Sequence, residues 1–289
     1  MKKIEAQQYR DNLAKKLKGV PKDERKQILN ETKTSAEYQL SKELAKGEVD
    51  ETIPRAEVNI FYMRHGKPEG KYAHGDMPYE EFRRAVMYDE SINLKLSEEG
   101  KERVRNELRE SGIEKHNIQL ILASPYLRTQ ETAELVQEYL REKTGQDIPL
   151  KITDLLSEVR VDPDTLSKEE YESMLNEKGF WPVMEEFAKR WMQDENATAE
   201  TAKETYARAA LLLKYLRRVR RWTQYQKVFM VSHGWFGRVI KHVAQGGTPK
   251  GFEKETKLLA EAEMYALQHK GENQFIELNF RDEYNETKR

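Results

Sequence analysis

Short apolar runs alternate with longer amphipathic stretches over most of the chain. The first clear run, VNIFYM at 58–63, ends at Arg64. Similar runs fall at 118–123, 148–152 and 227–231. Between them, apolar residues recur at helical spacing over 97–111 and 127–141, and over a long stretch from 168 to 222. Strands alternating with helices predict a mostly parallel sheet covered on both faces. Two last runs, 264–268 and 274–278, flank Lys270-Gly271-Glu272-Asn273 and read as a hairpin, so one edge of a mixed sheet is expected to be antiparallel. The fold class is therefore α/β, a three-layer α/β/α sandwich.

The beginning of the chain follows a different pattern. Residues 1–56 are rich in Lys, Glu and Gln and hold no strand-like run. Leu13, Leu17, Val20, Ile28 and Leu29 recur at helical spacing around Pro21, which suits the first turn of a helix. Lys46-Gly47 is a helix stop, and Ile53-Pro54 falls in a linker. The division expected is a helical N-terminal extension over 1–56 and a main α/β domain over 57–289. The stretch 67–95, rich in Gly, Tyr, Met and charge, reads as a loop with a short helix at 79–87, or as a lid.

Composition narrows the function classes. The 289 residues carry 50 basic and 51 acidic side chains, a net charge of −1, which argues against a nucleic-acid binder. There is no cysteine, which removes disulfides, thiolate metal sites and cysteine nucleophiles. No apolar run is long enough to span a bilayer, and the N-terminus has no apolar signal core. A cytoplasmic protein without a membrane partner is expected.

The chemistry-bearing residues fall where strands end. Arg64-His65-Gly66 follows the first strand, and Ser124-Pro125 the second, with Arg128 one turn into the next helix. Ser232-His233-Gly234 follows the fourth. Singly, each is an ordinary turn. In a parallel sheet all three lie at the carboxyl edge, where ligands bind. Two arginines and two histidines there make a cationic pocket suited to a dianion such as phosphate, because guanidinium forks match its oxygens and helix N-termini add amide donors.

These motifs resemble the histidine phosphatase superfamily, the phosphoglycerate-mutase-like proteins. YMRHGKPE is similar to its opening Arg-His-Gly motif. ASPYLRTQETA carries each fixed position of Ser-Pro-x-x-Arg-Thr-x-x-Thr-Ala, namely Ser124, Pro125, Arg128, Thr129, Thr132 and Ala133. LKLSEEGKERV resembles the intervening helix start, with Ser97 and Gly100 in place and Val104 where alanine is usual. FMVSHGWFGRVI is similar to the late Ser-His-Gly motif. The resemblance spans roughly 57–280.

The resemblance implies that His65 attacks phosphorus and becomes phosphorylated, while Arg64, Arg128 and His233 bind the phosphoryl oxygens. It implies no metal and no cofactor. An acid must protonate the leaving oxygen. The family takes it from a Leu-x-Glu segment after the third strand, which points to Glu158 in Leu155-Leu156-Ser157-Glu158. The glycine-rich continuation of many members is replaced by Val159-Arg160-Val161-Asp162-Pro163, and Glu69 and Asp76 are the reserve candidates. Lys67, Tyr72, His74, Arg160 and Arg238 are candidates for the entrance. Phe180, Trp181, Val183, Phe187, Trp191 and Met192 form a helically spaced aromatic stripe that reads as core.

The function expected is hydrolysis of phosphomonoesters, the substrate being a phosphorylated small molecule or a phosphoprotein. Two alternatives stand beside it: a phosphomutase with the same pocket, and a catalytically weak phospho-ligand or partner-binding protein. Residues 1–56 are the segment for a protein partner or self-association.

Overall fold

The computed structural model describes residues 58–69, 78–80, 94–160, 165–193, 200–218, 226–249, 252, 259–270 and 275–278. The N-terminal module at 1–56 lies outside them, as does most of the 67–95 insertion, including Tyr72, His74 and Asp76.

Six strands form one sheet: β1 (Asn59–Arg64), β2 (Leu120–Ala123), β3 (Leu150–Ile152), β4 (Lys227–Ser232), β5 (Met264–His269) and β6 (Phe275–Leu278). Their order is β3-β2-β4-β1-β5-β6. The first four are mutually parallel, and β5 and β6 complete an antiparallel edge. The fold class and the hairpin edge thus match the expectation from the alternating pattern.

The chain's route explains the layers. It moves from β1 outward to β2 and β3, then returns to β4 between β2 and β1. Right-handed crossovers put connections that travel in opposite directions on opposite faces. Helices α1 (Glu98–Ser111) and α2 (Leu127–Thr144) cover one face, packing Val104, Leu108, Ala133, Val136 and Leu140 on Phe61, Met63, Ile121 and Val231. The other face carries α3 (Lys168–Lys178), α4 (Phe180–Gln193), α5 (Ala202–Arg218) and α6 (Gly234–Ala244) over Ile60, Tyr62, Leu122 and Met230. The period-2 alternation of β1, β2, β4 and β5 divides their apolar residues between these two cores.

The stretch 168–222 is not one helix. Ser167 starts α3 with a capping box to Glu170. Gly179, at φ 79°, ends α3, and α4 begins at Phe180. Periodicity carries across such a break because both helices bury apolar faces in one core. Val183, Phe187 and Trp191 are buried there with Met192 packed against them, as the stripe suggested. Among the described residues no helix is long and apolar enough to cross a membrane.

Candidate active site

The carboxyl ends of β1, β2 and β4 lie side by side. Arg64 pairs in register with Ser232, and Ala123 with both Val231 and Ile152. The chain leaving β1 turns towards α1 on one face, and the chain leaving β4 turns into α6 on the other. The sheet opens between two such strands, and there Arg64, His65, Arg128 and His233 meet.

Hydrogen bonding fixes both imidazoles. His65 Nδ1 lies 2.7 Å from the Gly66 carbonyl, which can only accept, so Nδ1 carries the proton. The Nε2 lone pair accepts from Arg128 Nε at 3.0 Å. The same guanidinium lies 3.3 Å from His233 Nδ1, which must also accept because arginine only donates. The His233 proton is therefore on Nε2, donated to Ser124 Oγ at 2.9 Å. Arg128 spans two neutral rings whose centroids are 5.2 Å apart.

Arg64 approaches from β1. Its Nη1 donates to the Leu259 carbonyl at 2.5 Å, and its Nε is buried with no partner among the described residues. Gly234 makes room for it, since a Cβ there would stand 3.1–3.2 Å from the Nε, Cδ and Cζ of Arg64. Gly66 and Gly100 bring the loop after His65 against the start of α1. A Cβ on Gly100 would lie 2.2 Å from the Lys67 carbonyl oxygen. Ser97 caps α1 by accepting from the Gly100 amide at 3.0 Å.

The charges shift the proton equilibria. His65 titrates well below the ordinary histidine range, through burial first and then the positive charges of Arg128 and Arg64, opposed by the Gly66 hydrogen bond. His233 is lowered too, by burial, then Arg128, His65, Arg64 and Arg208. Glu158 is raised, chiefly by burial; the amides of Val159 and Phe236 and the charges of Arg128 and Arg64 oppose the rise. Its Oε1 accepts from both amides at 2.9 Å, which puts the carboxyl at the N-terminus of α6. Glu69 is exposed, on a segment whose amide bonds to the Lys95 carbonyl.

These shifts have a consequence for stability. Folding lowers both histidine pKa values, so below about 6.5 the unfolded chain binds protons that the folded chain refuses. The stabilisation is complete above that pH and is lost as the pH falls towards the folded values. Glu158, raised on folding, acts in the opposite sense. Thermal denaturation is expected to show a melting temperature falling below about pH 6.5, and falling less steeply in His65→Asn. Parallel curves for the two proteins would show that His65 does not fold as a neutral ring.

Two residues support the site in ways that were not read from the sequence. Tyr62, two positions before Arg64 on the same strand face, donates its hydroxyl to the His233 carbonyl at 2.6 Å. Thr132 Oγ1 donates to the Arg128 carbonyl at 2.8 Å and accepts from the Gly66 amide at 3.2 Å, tying α2 to the loop after His65. Its place one turn after Arg128 was visible, but its partner was not. Of the entrance candidates, Lys67 pairs with exposed Glu99 at 2.6 Å, and the Arg238 guanidinium stands 4.8 Å above the Phe252 ring. Among the described residues no group of three or more His, Asp or Glu side chains could hold a metal ion.

No curated protein matches the chain. Solved structures with a similar fold include the mycobacterial glucosyl-3-phosphoglycerate phosphatase in complex with VO3. It is 17% identical, with a TM-score of 0.52 and coverage of 78% of this chain and 97% of that one. The phosphoglycerate mutase of Bacillus anthracis is 15% identical, with a TM-score of 0.51 and coverage of 80% and 98%. The α-ribazole phosphatase of Shigella flexneri is 16% identical, with a TM-score of 0.50 and coverage of 78% and 97%. At such identities the likeness is one of fold. The family model of the histidine phosphatase superfamily, branch 1, matches residues 60–280, the region that holds all four converging side chains and Glu158. The chain belongs to the histidine phosphatase superfamily.

Proposed function

We propose that the protein hydrolyses phosphomonoesters of small molecules through a phosphohistidine on His65. The observation that carries this reading is the state of the His65 ring. Its Nδ1 proton is held by the Gly66 carbonyl, so the Nε2 lone pair points to the side where Arg128 lies 3.0 Å away. A neutral imidazole beside fixed guanidinium groups is a nucleophile paired with a binding site for the group it attacks. Burial and the two arginines keep that ring unprotonated at neutral pH.

In this mechanism Arg64, Arg128 and His233 hold the non-bridging oxygens so that phosphorus and the leaving oxygen stand in line with Nε2. Arg128 Nε gives up its bond to Nε2 and donates to the phosphoryl group instead. His233 donates from the pocket only when protonated, a state that the phosphate's charge favours against the arginines. The phosphorus–oxygen bond to the leaving group breaks as the bond to Nε2 forms, and Glu158 supplies the proton. Water then attacks the phosphohistidine, its proton passes to Glu158, and inorganic phosphate leaves with Nε2 again unprotonated.

The test is phosphate release from a panel of phosphosugars, nucleotides and phosphopeptides, with the other product identified. Inorganic phosphate and the dephosphorylated alcohol are expected. An isomerised phosphoester without free phosphate would make the protein a mutase. Inhibition by vanadate or phosphate gives a second measure. Arg128→Ala is expected to weaken it by roughly 10- to 150-fold, the loss of one charge-assisted hydrogen bond of about 1.5–3 kcal/mol. An unchanged inhibition constant would remove Arg128 from the phosphate site.

A further inference from the structure

A buried ion pair lies outside the phosphate site and is used by none of the steps above. Arg208, on α5, donates from Nε and Nη2 to the two carboxylate oxygens of Glu200 at 2.8 Å each. Both side chains are more than nine-tenths buried. The remaining donor, Nη1, reaches the carbonyls of Leu155 at 3.2 Å and Ser157 at 2.7 Å, in the backbone that leads into Glu158. Glu200 grips the other side. Its amide donates to the Arg160 carbonyl at 2.8 Å, and its Oε2 accepts from the Arg160 amide at 3.3 Å. The Arg208 guanidinium also lies 3.8 Å from the ring centre of Phe236, whose own amide holds Glu158 Oε1.

The pair therefore touches the chain just before Glu158, two residues after it, and at the residue that anchors its carboxylate. Burial would raise the Glu200 carboxyl, but the charge and hydrogen bonds of Arg208 outweigh it and hold Glu200 ionised. Stability alone gives little reason for such an arrangement. Apolar residues of similar volume commonly replace a buried ion pair with no loss, because desolvating two charges offsets their attraction. What apolar side chains cannot do is hold three backbone groups, the Leu155 and Ser157 carbonyls and the Arg160 amide, at fixed points. Lysine cannot either, since its single ammonium has no fork to share between a carboxylate and two carbonyls.

We propose that Arg208 and Glu200 are positioning residues that hold the 155–160 segment so that the Glu158 carboxyl meets the leaving-group oxygen. This rests on Glu158 being the general acid, as proposed above. A clasp of this kind acts on proton donation and not on phosphate binding. Its loss is felt most by substrates whose leaving oxygen needs the proton.

The experiment is a series of aryl phosphates of graded leaving-group acidity, with kcat/KM plotted against leaving-group pKa for wild type, Glu158→Gln, Arg208→Met and Glu200→Gln. Wild type is expected to give a shallow slope and Glu158→Gln a steep one. Arg208→Met is expected to steepen the slope too, with about 100-fold more lost on the poorest leaving group than on the best, the scale of effect of an ångström-sized misplacement. The Arg208→Met/Glu158→Gln double variant is expected to be no steeper than Glu158→Gln alone. If Arg208→Met does not fold, Glu200→Gln decides: it keeps the shape but loses the charge and turns one acceptor oxygen into a donor facing Arg208, and a steepened slope is again expected. Lines displaced in parallel for the Arg208 or Glu200 variant, with Glu158→Gln steep, overturn the positioning role and leave the proposed function intact. A shallow line for Glu158→Gln overturns both, because the acid is then another residue.

Discussion

His65→Ala is expected to lower turnover by roughly four to six orders of magnitude, the loss typical of removing a nucleophile that works as a unit with its neighbours. Phosphate labelled in the transferred group should attach to the wild-type protein in a form labile to acid and stable to base, and should not attach to the variant. The expectation rests on the His65 ring, whose Nδ1 proton is held by a backbone carbonyl while Nε2 accepts from Arg128. His233 is the rival, since it too is neutral and accepts from Arg128, at its Nδ1. Its other nitrogen bonds to the Ser124 hydroxyl, a weaker orienting group than the Gly66 carbonyl. Label that persists in His65→Ala and vanishes in His233→Ala would exchange their roles. Truncation also removes the acceptor that Arg128 Nε has in His65, in a buried site, at a cost of about 1–3 kcal/mol. Circular dichroism and His65→Asn, which keeps polar atoms there, separate lost chemistry from lost fold.

Most of the sheet could be read from the sequence because its strands are short apolar runs between amphipathic helices. The converging residues were legible for the same reason. Arg64, Ser124, Ser232 and His233 each close or follow a run, and parallel strands carry their ends to one edge. The boundary between α3 and α4 was less clear, because Gly179 interrupts a stripe of apolar residues that both helices bury in one core. The Glu200–Arg208 clasp was not legible at all. On a helical wheel Arg208 is one charge among many, and its partners at 155–160 are about fifty residues away in sequence. Only the return of α5 across the sheet face joins them. Tyr62 was hidden differently: it reads as an apolar strand residue, and its hydroxyl matters only because β4 ends beside it and offers the His233 carbonyl.

Glu158→Gln is expected to separate the two halves of the reaction. The carboxyl must be protonated to donate, and its surroundings raise its pKa, with burial as the largest cause. A bound phosphate dianion favours the protonated form further. An aryl phosphate has a good leaving group, so its first step needs the proton least and should be nearly unaffected. Attack of water on the phosphohistidine still needs a base, and a carboxamide cannot serve. A burst of aryl alcohol followed by slow turnover is therefore expected, with phosphoenzyme accumulating to near one equivalent. An alkyl phosphate behaves differently, because an alkoxide leaves poorly without a proton. Its first step should slow by about 100- to 10,000-fold, the usual contribution of acid–base catalysis, and no burst should appear. Glutamine can keep the carbonyl contact to the Val159 and Phe236 amides, so the loop is held and the comparison isolates the proton. Equal slowing of aryl and alkyl substrates with no trapped phosphoenzyme would place the acid elsewhere. Glu69, on the segment after His65, and Asp76 would be the next residues to replace.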